Sequence, residues 1–252
     1  MSDRDGRTGD QPGRILIGTA SWADKSLIES GRFYPPEVKS KDFLRYYGTR
    51  LATLEINYTF NHLPTEKNIA DWREATPPEF LFALKASQQI THYRQLRDPA
   101  ETLPLFFERA RPLGDRLGPV LFQTPPWLRR DDDRLAGFLA SLPRDLRCAL
   151  EVRDPSWYVD EVYELLRIAG VALVHAEGEK APSPVETLGT TSSFAYARLR
   201  KREGYTGDDV DAWAARFRPM LDAGKDVYAY FRHDDTGANA LSAERLRDLL
   251  AA

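Results

Sequence analysis

A chain of 252 residues with 42% hydrophobic content can bury one large core, and its length suits a single α/β barrel as well as two small domains. A formal net charge of −3 excludes a protein that is attracted to nucleic acid or acidic membranes by its total charge, although a local basic patch can exist within that total. The single cysteine, Cys148, excludes an intrachain disulfide; because it lies in an apolar run, it predicts a buried thiol in a reducing cytosol.

The first fourteen residues are rich in Asp, Arg and Gly and lack the apolar segment of a signal peptide. No run in the sequence reaches the roughly 20 apolar residues that a membrane-spanning helix needs. We therefore predict a disordered leader over residues 1–14, one domain over residues 15–252, no membrane association and a cytoplasmic location.

Eight short apolar runs with the character of buried strands recur along the chain. They lie at residues 15–17, 54–58, 81–85, 120–123, 148–153, 171–175, 194–198 and 227–232. Apolar stripes at helical spacing separate or follow these runs. They lie near residues 43–51, 65–72, 99–110, 131–142, 162–169, 210–221 and 246–250.

Start and stop signals support the helical segments. Thr65 and Asp131 are predicted N-caps, Pro99 stands at a helix start, and Gly170 ends a helix. The connection over residues 177–193 contains two prolines and little periodicity, so the sixth helix is predicted to be short or degenerate.

Regular alternation of strand and helix predicts a parallel sheet, and eight such units at this length predict a TIM-type (β/α)₈ barrel in a single domain. A doubly wound sheet is the alternative. In a barrel, the carboxyl ends of all strands meet at one rim, where sites are built. Those ends carry polar residues: Thr19, Glu55 with Asn57, Lys85, Gln123, Glu151 with Arg153, His175, Arg198 and Arg232.

Polar strand ends can also be purely structural, since charged termini form ion pairs. As a set, however, these residues favour a site, because buried acids and bases are costly to place for packing alone. All four histidines fall at or just after strand ends. No HxH or HExxH spacing joins them, so we predict no metal site. No nucleophile elbow, P-loop or dinucleotide-binding glycine motif is present either.

A basic excess lies on the predicted rim and its loops. It comprises Lys85, Arg94, Arg97, Arg153, Arg198, Arg200, Lys201, Arg202 and Arg232. Guanidinium groups suit phosphate and carboxylate, so an anionic ligand is the natural inference, against the alternative of ordinary solvated loops. Aromatic residues near the same rim favour stacking on a sugar or base, although such residues also pack loops: Trp22, Tyr58, Trp127 and Trp157.

Several motifs together resemble the domain-of-unknown-function family 72, also called YecE-like. They are Gly18-Thr19-Ala20-Ser21-Trp22, Phe33-Tyr34-Pro35, Glu55-Ile56-Asn57-Tyr58-Thr59-Phe60 with Leu63-Pro64, Lys85-Ala86 with Ile90-Thr91-His92, Leu121-Phe122-Gln123-Thr124-Pro125-Pro126, and Glu151-Val152-Arg153 with Ser156-Trp157. The resemblance covers residues 15 to 240. It implies a TIM-type barrel and brings no established reaction.

By motif position, the resemblance implies that the family's shared rim residues are Glu55, Asn57, Lys85, His92, Gln123, Glu151, Arg153 and Trp157. Three places depart from the family pattern: Asn61-His62, Arg200-Lys201, and Arg232-His233 with Asn239 further along. These departures leave the strands two to five unchanged and affect what can be carried over to the last two strands.

The first functional hypothesis is an enzyme of hydrolase or isomerase type, without a cofactor, whose rim cleft binds an anionic, phosphorylated small molecule or nucleotide. Its predicted catalytic residues are Glu55 and Glu151 as acid and base, Lys85 as an electrostatic clamp, and His92 as a proton shuttle. The predicted ligand-binding residues are Asn57, Gln123, Arg153, Trp157, Arg198, Arg232 and Trp22.

The second hypothesis is a nucleic-acid-binding or phosphodiester-cleaving barrel that uses the basic rim and its aromatic residues. A third is a scaffold without catalysis, in which the rim charges form closed ion pairs. The sequence does not distinguish an oligomer from a monomer.

Overall fold

The computed structural model describes residues 11–177 and 183–252. In these residues, parallel strands form a single sheet. The strands are β1 (Ile15–Ala20), β2 (Thr53–Ile56), β3 (Leu81–Lys85), β4 (Leu117–Gln123), β5 (Cys148–Glu151), β6 (Ala172–Leu173), β7 (His175–Ala176), β8 (Phe194–Leu199) and β9 (Asp226–Phe231). Neighbours in the sheet follow the chain from β6 back to β1 and then through β9 and β8 to β7.

The predicted sixth strand is divided at Val174 into two short strands. β6 pairs with β5, while β7 pairs with β8, so the two halves of one extended segment bring the ring almost to closure. The Val174 amide donates to the carbonyl of Leu150 at 2.9 Å and continues the pairing with β5 across the break. This arrangement confirms the barrel, and it excludes the doubly wound alternative because the strand order follows the chain around the ring.

Helices cover the outside of the ring. They are α1 (Lys25–Glu29), α2 (Phe43–Arg50), α3 (Glu66–Ala75), α4 (Pro99–Ala110), α5 (Asp132–Ala140), α6 (Asp160–Ala169), α7 (Gly207–Asp222) and α8 (Ala238–Ala251). None of the described helices is both long and apolar enough to cross a bilayer.

The predicted helix signals act as expected. Thr65 forms a capping box with Asn68 at the start of α3, and the Asp131 carboxylate accepts from the Arg134 amide at the start of α5. Gly170 takes a left-handed conformation, with φ of 68°, at the end of α6. Pro219 lies within α7, and the helix continues through it.

The helix predicted to be short or degenerate is the one that would follow the sixth predicted strand, between β7 and β8. There the described residues form only one 3₁₀ turn, Val185–Thr187. That outcome confirms the predicted short or degenerate element. The first ten residues of the predicted leader lie outside the described residues. The last two residues of the predicted leader are hydrogen-bonded to the barrel domain. The Gly13 amide donates to the Leu221 carbonyl, and the Arg14 amide donates to the Asp226 carboxylate at 2.7 Å.

The alternation of side chains along each strand produces two apolar clusters. The larger one lies between the sheet and the helices. The smaller one fills the barrel interior with Leu16, Leu81, Ala83, Leu121, Ala149, Ala172, Val174, Phe194, Tyr196, Tyr228 and Tyr230. Toward the amino ends of the strands, Arg147 donates to both Asp226 and Tyr228, at 2.6 and 2.8 Å. A packed interior and a closed floor leave the carboxyl-terminal rim as the place for a site.

Candidate functional site

The inward face of the barrel changes from apolar to charged one step beyond the interior cluster. Because side chains alternate, the residue two places after an inward apolar residue also points inward. Lys85 follows Ala83 in this way, Gln123 follows Leu121, and Glu151 follows Ala149. Arg198 follows Tyr196 and Arg232 follows Tyr230 by the same rule. Five strand ends therefore contribute polar groups to one mouth.

Arg198 is the centre of this polar layer. Its guanidinium donates to Glu151 Oε2 at 2.7 Å and to Glu55 Oε1 at 2.8 Å, which joins β2, β5 and β8 across the barrel. Both carboxylates are fully buried, and Arg198 is 6% exposed. A buried guanidinium between two carboxylates satisfies all three charges, which alone would be costly to bury.

Glu151 also receives donors on its other oxygen. Gln123 Nε2 lies 2.8 Å and Arg153 Nε 3.1 Å from Oε1, and an Arg200 guanidinium nitrogen lies 3.6 Å from it. Burial alone would raise the pKa of Glu151, but the surrounding guanidinium groups, Arg198 first, outweigh it and lower the pKa to about 2. At neutral pH this carboxylate is ionised, and both of its oxygens accept hydrogen bonds from neighbouring side chains.

Glu55 is held in a similar way. Tyr196 donates its hydroxyl to Oε2 at 2.8 Å, and Asn57 Nδ2 donates to Oε1 at 3.2 Å. The predicted acid and base roles of Glu55 and Glu151 do not fit this geometry. A general acid needs a proton at working pH, and a general base needs a lone pair facing the substrate, whereas these oxygens are buried and bound by arginine. We assign both carboxylates to positioning Arg198.

A cavity of about 920 Å³ opens above this layer. Its basic lining residues are Lys25, Lys85, Arg153, Arg198, Arg200 and Arg232. Its acidic lining residues are Asp24, Glu29, Asp234 and Asp235. Glu55 and Glu151 lie beneath the cavity and pair with Arg153 and Arg198.

Lys85 is one of two basic residues of the cavity that have no carboxylate within ion-pair distance among the described residues. Among the described residues, none makes a hydrogen bond or ion pair with its ammonium, which lies 4.1 Å from the centre of the Phe60 ring. Burial, and then the positive charge of Arg198, lower the pKa of Lys85 to about 8. The predicted clamp is therefore an amine that carries a substantial neutral fraction near physiological pH.

Arg232 is the other unpaired cation of the cavity. In the part of the chain that the structure describes, no carboxylate lies within ion-pair distance of its guanidinium, and only its backbone is bonded, to Leu199 and Asn239. Arg153 and Arg198, by contrast, are bound to glutamate. Among the described residues, Lys85 and Arg232 are thus the cations of the cavity wall that no carboxylate pairs with.

Three predicted site residues lie away from the cavity wall. Trp157 is fully buried in the outer core, where its indole donates to the Leu128 carbonyl at 2.7 Å, so its predicted contact with a ligand is wrong. Trp22 lines a separate cavity with Tyr58 on the outer side of the rim. His92 packs edge-on against Phe60, the ring that also contacts Lys85, and burial lowers its pKa.

The histidines do not converge. His62 stacks on Tyr58, His175 points outward to Trp213, and His233 bonds the Ser21 carbonyl. Within residues 11–177 and 183–252, no three side chains of His, Cys, Asp or Glu come together as a metal site.

A family model described as "Protein of unknown function DUF72" matches residues 16–252. The chain belongs to the DUF72 family. It is 22% identical to the UPF0759 protein YunF of Bacillus subtilis over 94% of each chain. It is 30% identical to the UPF0759 protein YecE of Escherichia coli over 57% of this chain and 50% of that protein. A solved DUF72 family structure from Thermotoga maritima has a TM-score of 0.79 at 23% identity and covers 94% of this chain and 99% of that one.

These comparisons confirm the family resemblance and the barrel, and none of the names states a reaction. In this DUF72 chain, two of the residues that depart from the family pattern, Arg200 and Arg232, line the cavity. The sequence reasoning missed the contribution of α1, whose Asp24 cap and Lys25 line the same cavity. The Asp24-x-Ser26 spacing, in which the carboxylate accepts from the Ser26 amide at 2.9 Å, was the available signal for this short helix.

Proposed function

We propose that this protein is an enzyme whose cavity at the carboxyl-terminal rim binds a small molecule that carries a phosphate or carboxylate group. The observation that carries the proposal is the pair of unpartnered cations, Lys85 and Arg232, in the wall of one cavity. A buried positive charge such as that of Lys85 is costly unless an anion balances it, and Arg232 adds a second cation to the same cavity, so the arrangement favours an anionic ligand.

The size of the cavity supports a small molecule. About 920 Å³ is within the range of roughly 300–1,000 Å³ that is usual for small-molecule sites. The acidic residues that also line the cavity disfavour a ligand that is negative along its whole length. We therefore expect a ligand that combines one anionic group with neutral, hydroxyl-bearing or positive groups.

The roles within the site follow from protonation. Glu55 and Glu151 hold Arg198, while Gln123 and Asn57 complete their hydrogen bonds. Proton transfer is assigned to Lys85, which lines the cavity and whose pKa is lowered by burial, so that its neutral form can accept a proton.

Calorimetric titration with inorganic phosphate tests the anion site. Replacing Arg232 by Gln removes an unpartnered guanidinium, and a hydrogen bond to a charged group contributes about 1.5–3 kcal/mol. We expect Arg232→Gln to weaken phosphate binding by at least about tenfold. Arg109→Gln, at an exposed position on α4 remote from the cavity, is the matched control and should bind as the wild type does. Equal affinity of both variants for phosphate would contradict the proposal.

A nucleic-acid-binding role is the second candidate, and one observation favours it. Tyr58, Tyr93 and Trp127 are 45%, 65% and 58% exposed, and they follow three consecutive strands, β2, β3 and β4. Exposed aromatic rings in a row can stack on unpaired bases. The predicted basic rim supports this role less strongly, because Arg94 lies 2.7 Å from Glu101 and Lys201 lies 2.5 Å from Asp209.

Fluorescence anisotropy with a single-stranded oligonucleotide separates the two candidates. A nucleic-acid-binding protein should lose oligonucleotide affinity on Trp127→Ala, with a strong dependence on salt, while phosphate binding stays unchanged. Absence of salt-dependent binding to the oligonucleotide would exclude the second candidate.

A further inference from the structure

Lys85 is the last residue of β3. Its backbone carbonyl accepts a hydrogen bond, whereas its side-chain amine has no hydrogen-bond partner among the described residues. The Thr59 hydroxyl donates to the Lys85 carbonyl at 2.7 Å, which fixes the position of the strand end. The side chain is partly buried and lines the cavity, and no described residue bonds its nitrogen. A ligand in the cavity therefore meets an amine with no competing partner.

The surroundings of this amine favour its neutral form. Burial lowers the pKa of Lys85 most, and the cations Arg198 and Arg153 lower it further, whereas the Phe60 ring beside it attracts the ammonium. Glu55 and Glu151 attract a proton to Lys85, but their charge is already shared with Arg198. A neutral amine has a free lone pair and is a nucleophile, whereas an ammonium is not.

We propose that Lys85 forms a Schiff base with a small aldehyde or ketone whose carboxylate or phosphate group is held in the same cavity. This inference rests on the proposed function, because the anionic group is what Arg232 and its basic neighbours would hold. It narrows the ligand from any small anion to a carbonyl compound, and it makes Lys85 a catalytic residue.

The step balances without an oxidant or reductant. The Lys85 nitrogen lone pair forms a bond to the carbonyl carbon as the carbon–oxygen π bond breaks. The two amine hydrogens then leave with the carbonyl oxygen as one molecule of water, and a carbon–nitrogen double bond remains. The proton that passes from nitrogen to oxygen in this step is exchanged through solvent in the cavity.

The experiment is reductive trapping with glyoxylate, a small aldehyde that carries a carboxylate, in the presence of cyanoborohydride. Peptide mapping by mass spectrometry gives the rate of adduct formation at each lysine of the wild-type protein. Lys25 is the internal reference, since it lines the same cavity but is exposed, with its ammonium 3.7 Å from Glu29. At pH 7 a group of pKa about 8 is roughly one-tenth neutral, and an ordinary lysine far less, so we expect Lys85 to react at least about tenfold faster than Lys25.

Variants and competitors make the result specific. Lys85→Met should abolish the fast adduct, and Lys67→Met, at an exposed position on α3 outside the cavity, should leave it unchanged. Inorganic phosphate should slow trapping by glyoxylate, and acetaldehyde, which lacks the carboxylate, should react at least about tenfold more slowly at Lys85. The rate should rise with pH and level off above about pH 8, as the ammonium loses its proton.

Each failure has a distinct meaning. Equal labelling of Lys85 and Lys25, or an adduct that survives in Lys85→Met, would overturn the Schiff base. Equal rates with glyoxylate and acetaldehyde would overturn the assigned ligand class. If phosphate binds and depends on Arg232 while Lys85 stays unlabelled, the proposed anion site is retained and this inference fails. If phosphate does not bind, the proposed function itself fails.

Discussion

At the scale of single residues, Arg198 determines what the two buried carboxylates can do. It donates to Glu55 and Glu151 at 2.8 and 2.7 Å, and neither carboxylate is exposed. A buried ion pair adds little stability compared with an apolar core, but removal of one partner leaves the other charge uncompensated. The layer is therefore sensitive to any change in charge.

Replacing Glu151 by Gln keeps the shape and removes the negative charge that faces Arg198, Arg153 and Arg200. We expect the free energy of unfolding, measured in urea, to fall by about 3–5 kcal/mol. Glu164→Gln is the matched control, because Glu164 pairs with Arg167 on the exposed surface of α6, where such a pair contributes at most about 1 kcal/mol. A similar small effect of both substitutions would show that the buried layer does not stabilise the fold.

The free energy of unfolding should depend on pH differently in the wild type and in Glu151→Gln. The pKa of Glu151 is lowered to about 2 in the folded protein, below the ordinary value of roughly 4.3 for the unfolded chain. Its contribution to stability is therefore complete above the ordinary pKa and is lost as the pH falls toward 2. The difference in unfolding free energy between the wild type and Glu151→Gln should narrow between about pH 5 and pH 2. A difference that stays constant over that range would contradict the assignment.

Residue types at the strand ends were predictable, but their partners were not. Each polar residue follows an apolar run by a fixed alternation, so Lys85, Gln123 and Glu151 could be placed on the rim. The ion pair between Glu151 and Arg198 joins residues 47 apart, and its existence depends on ring geometry. Local pattern does not report that geometry, and it gave the carboxylates an acid–base role that their partners prevent.

At the scale of elements, β1 approaches β2 more closely than a side chain would allow. A Cβ added to Gly18 would lie 2.1 Å from the Thr53 carbonyl oxygen, a backbone atom that cannot move without displacing β2. Glu55 lies two residues beyond Thr53 on the same strand, so this contact also sets the position of the polar layer.

Two glycine substitutions test this close approach, because one should destabilise the protein and the other should stabilise it. Gly18→Ala should lower the thermal unfolding temperature, because the strands must separate to accept the methyl group. Gly137→Ala in α5 meets no atom within 4 Å and removes the flexibility of glycine from a helix. It should stabilise the protein by roughly 0.5–1 kcal/mol. An unfolding temperature of Gly18→Ala equal to or above the wild-type value would disprove the close approach.

Elements with a strong local signal were predicted well. The start of α3 at Thr65 and the end of α6 at Gly170 both depend on capping groups that lie within a few residues. The division of the sixth strand at Val174 was not predicted. It depends on pairing with β5 on one side and β8 on the other, which are distant in sequence.

At the scale of the whole molecule, the ring of strands brings residues from all parts of the chain to one mouth. The number of apolar runs and their alternation with helices were sufficient to predict the barrel, because that pattern covers nearly the whole sequence. The net charge of −3 gave no indication that Lys85, Arg153, Arg198, Arg200 and Arg232 line one cavity. Charge that is concentrated by folding is visible only in three dimensions.

The central claim is that this cavity is an anion site at Lys85 and Arg232. The most direct test is a crystal structure of the protein grown or soaked with inorganic phosphate. We predict difference density for phosphate within hydrogen-bond distance of Lys85 Nζ or of the Arg232 guanidinium. Phosphate found only on the outer surface, with the cavity occupied by water at a saturating concentration, would contradict the account.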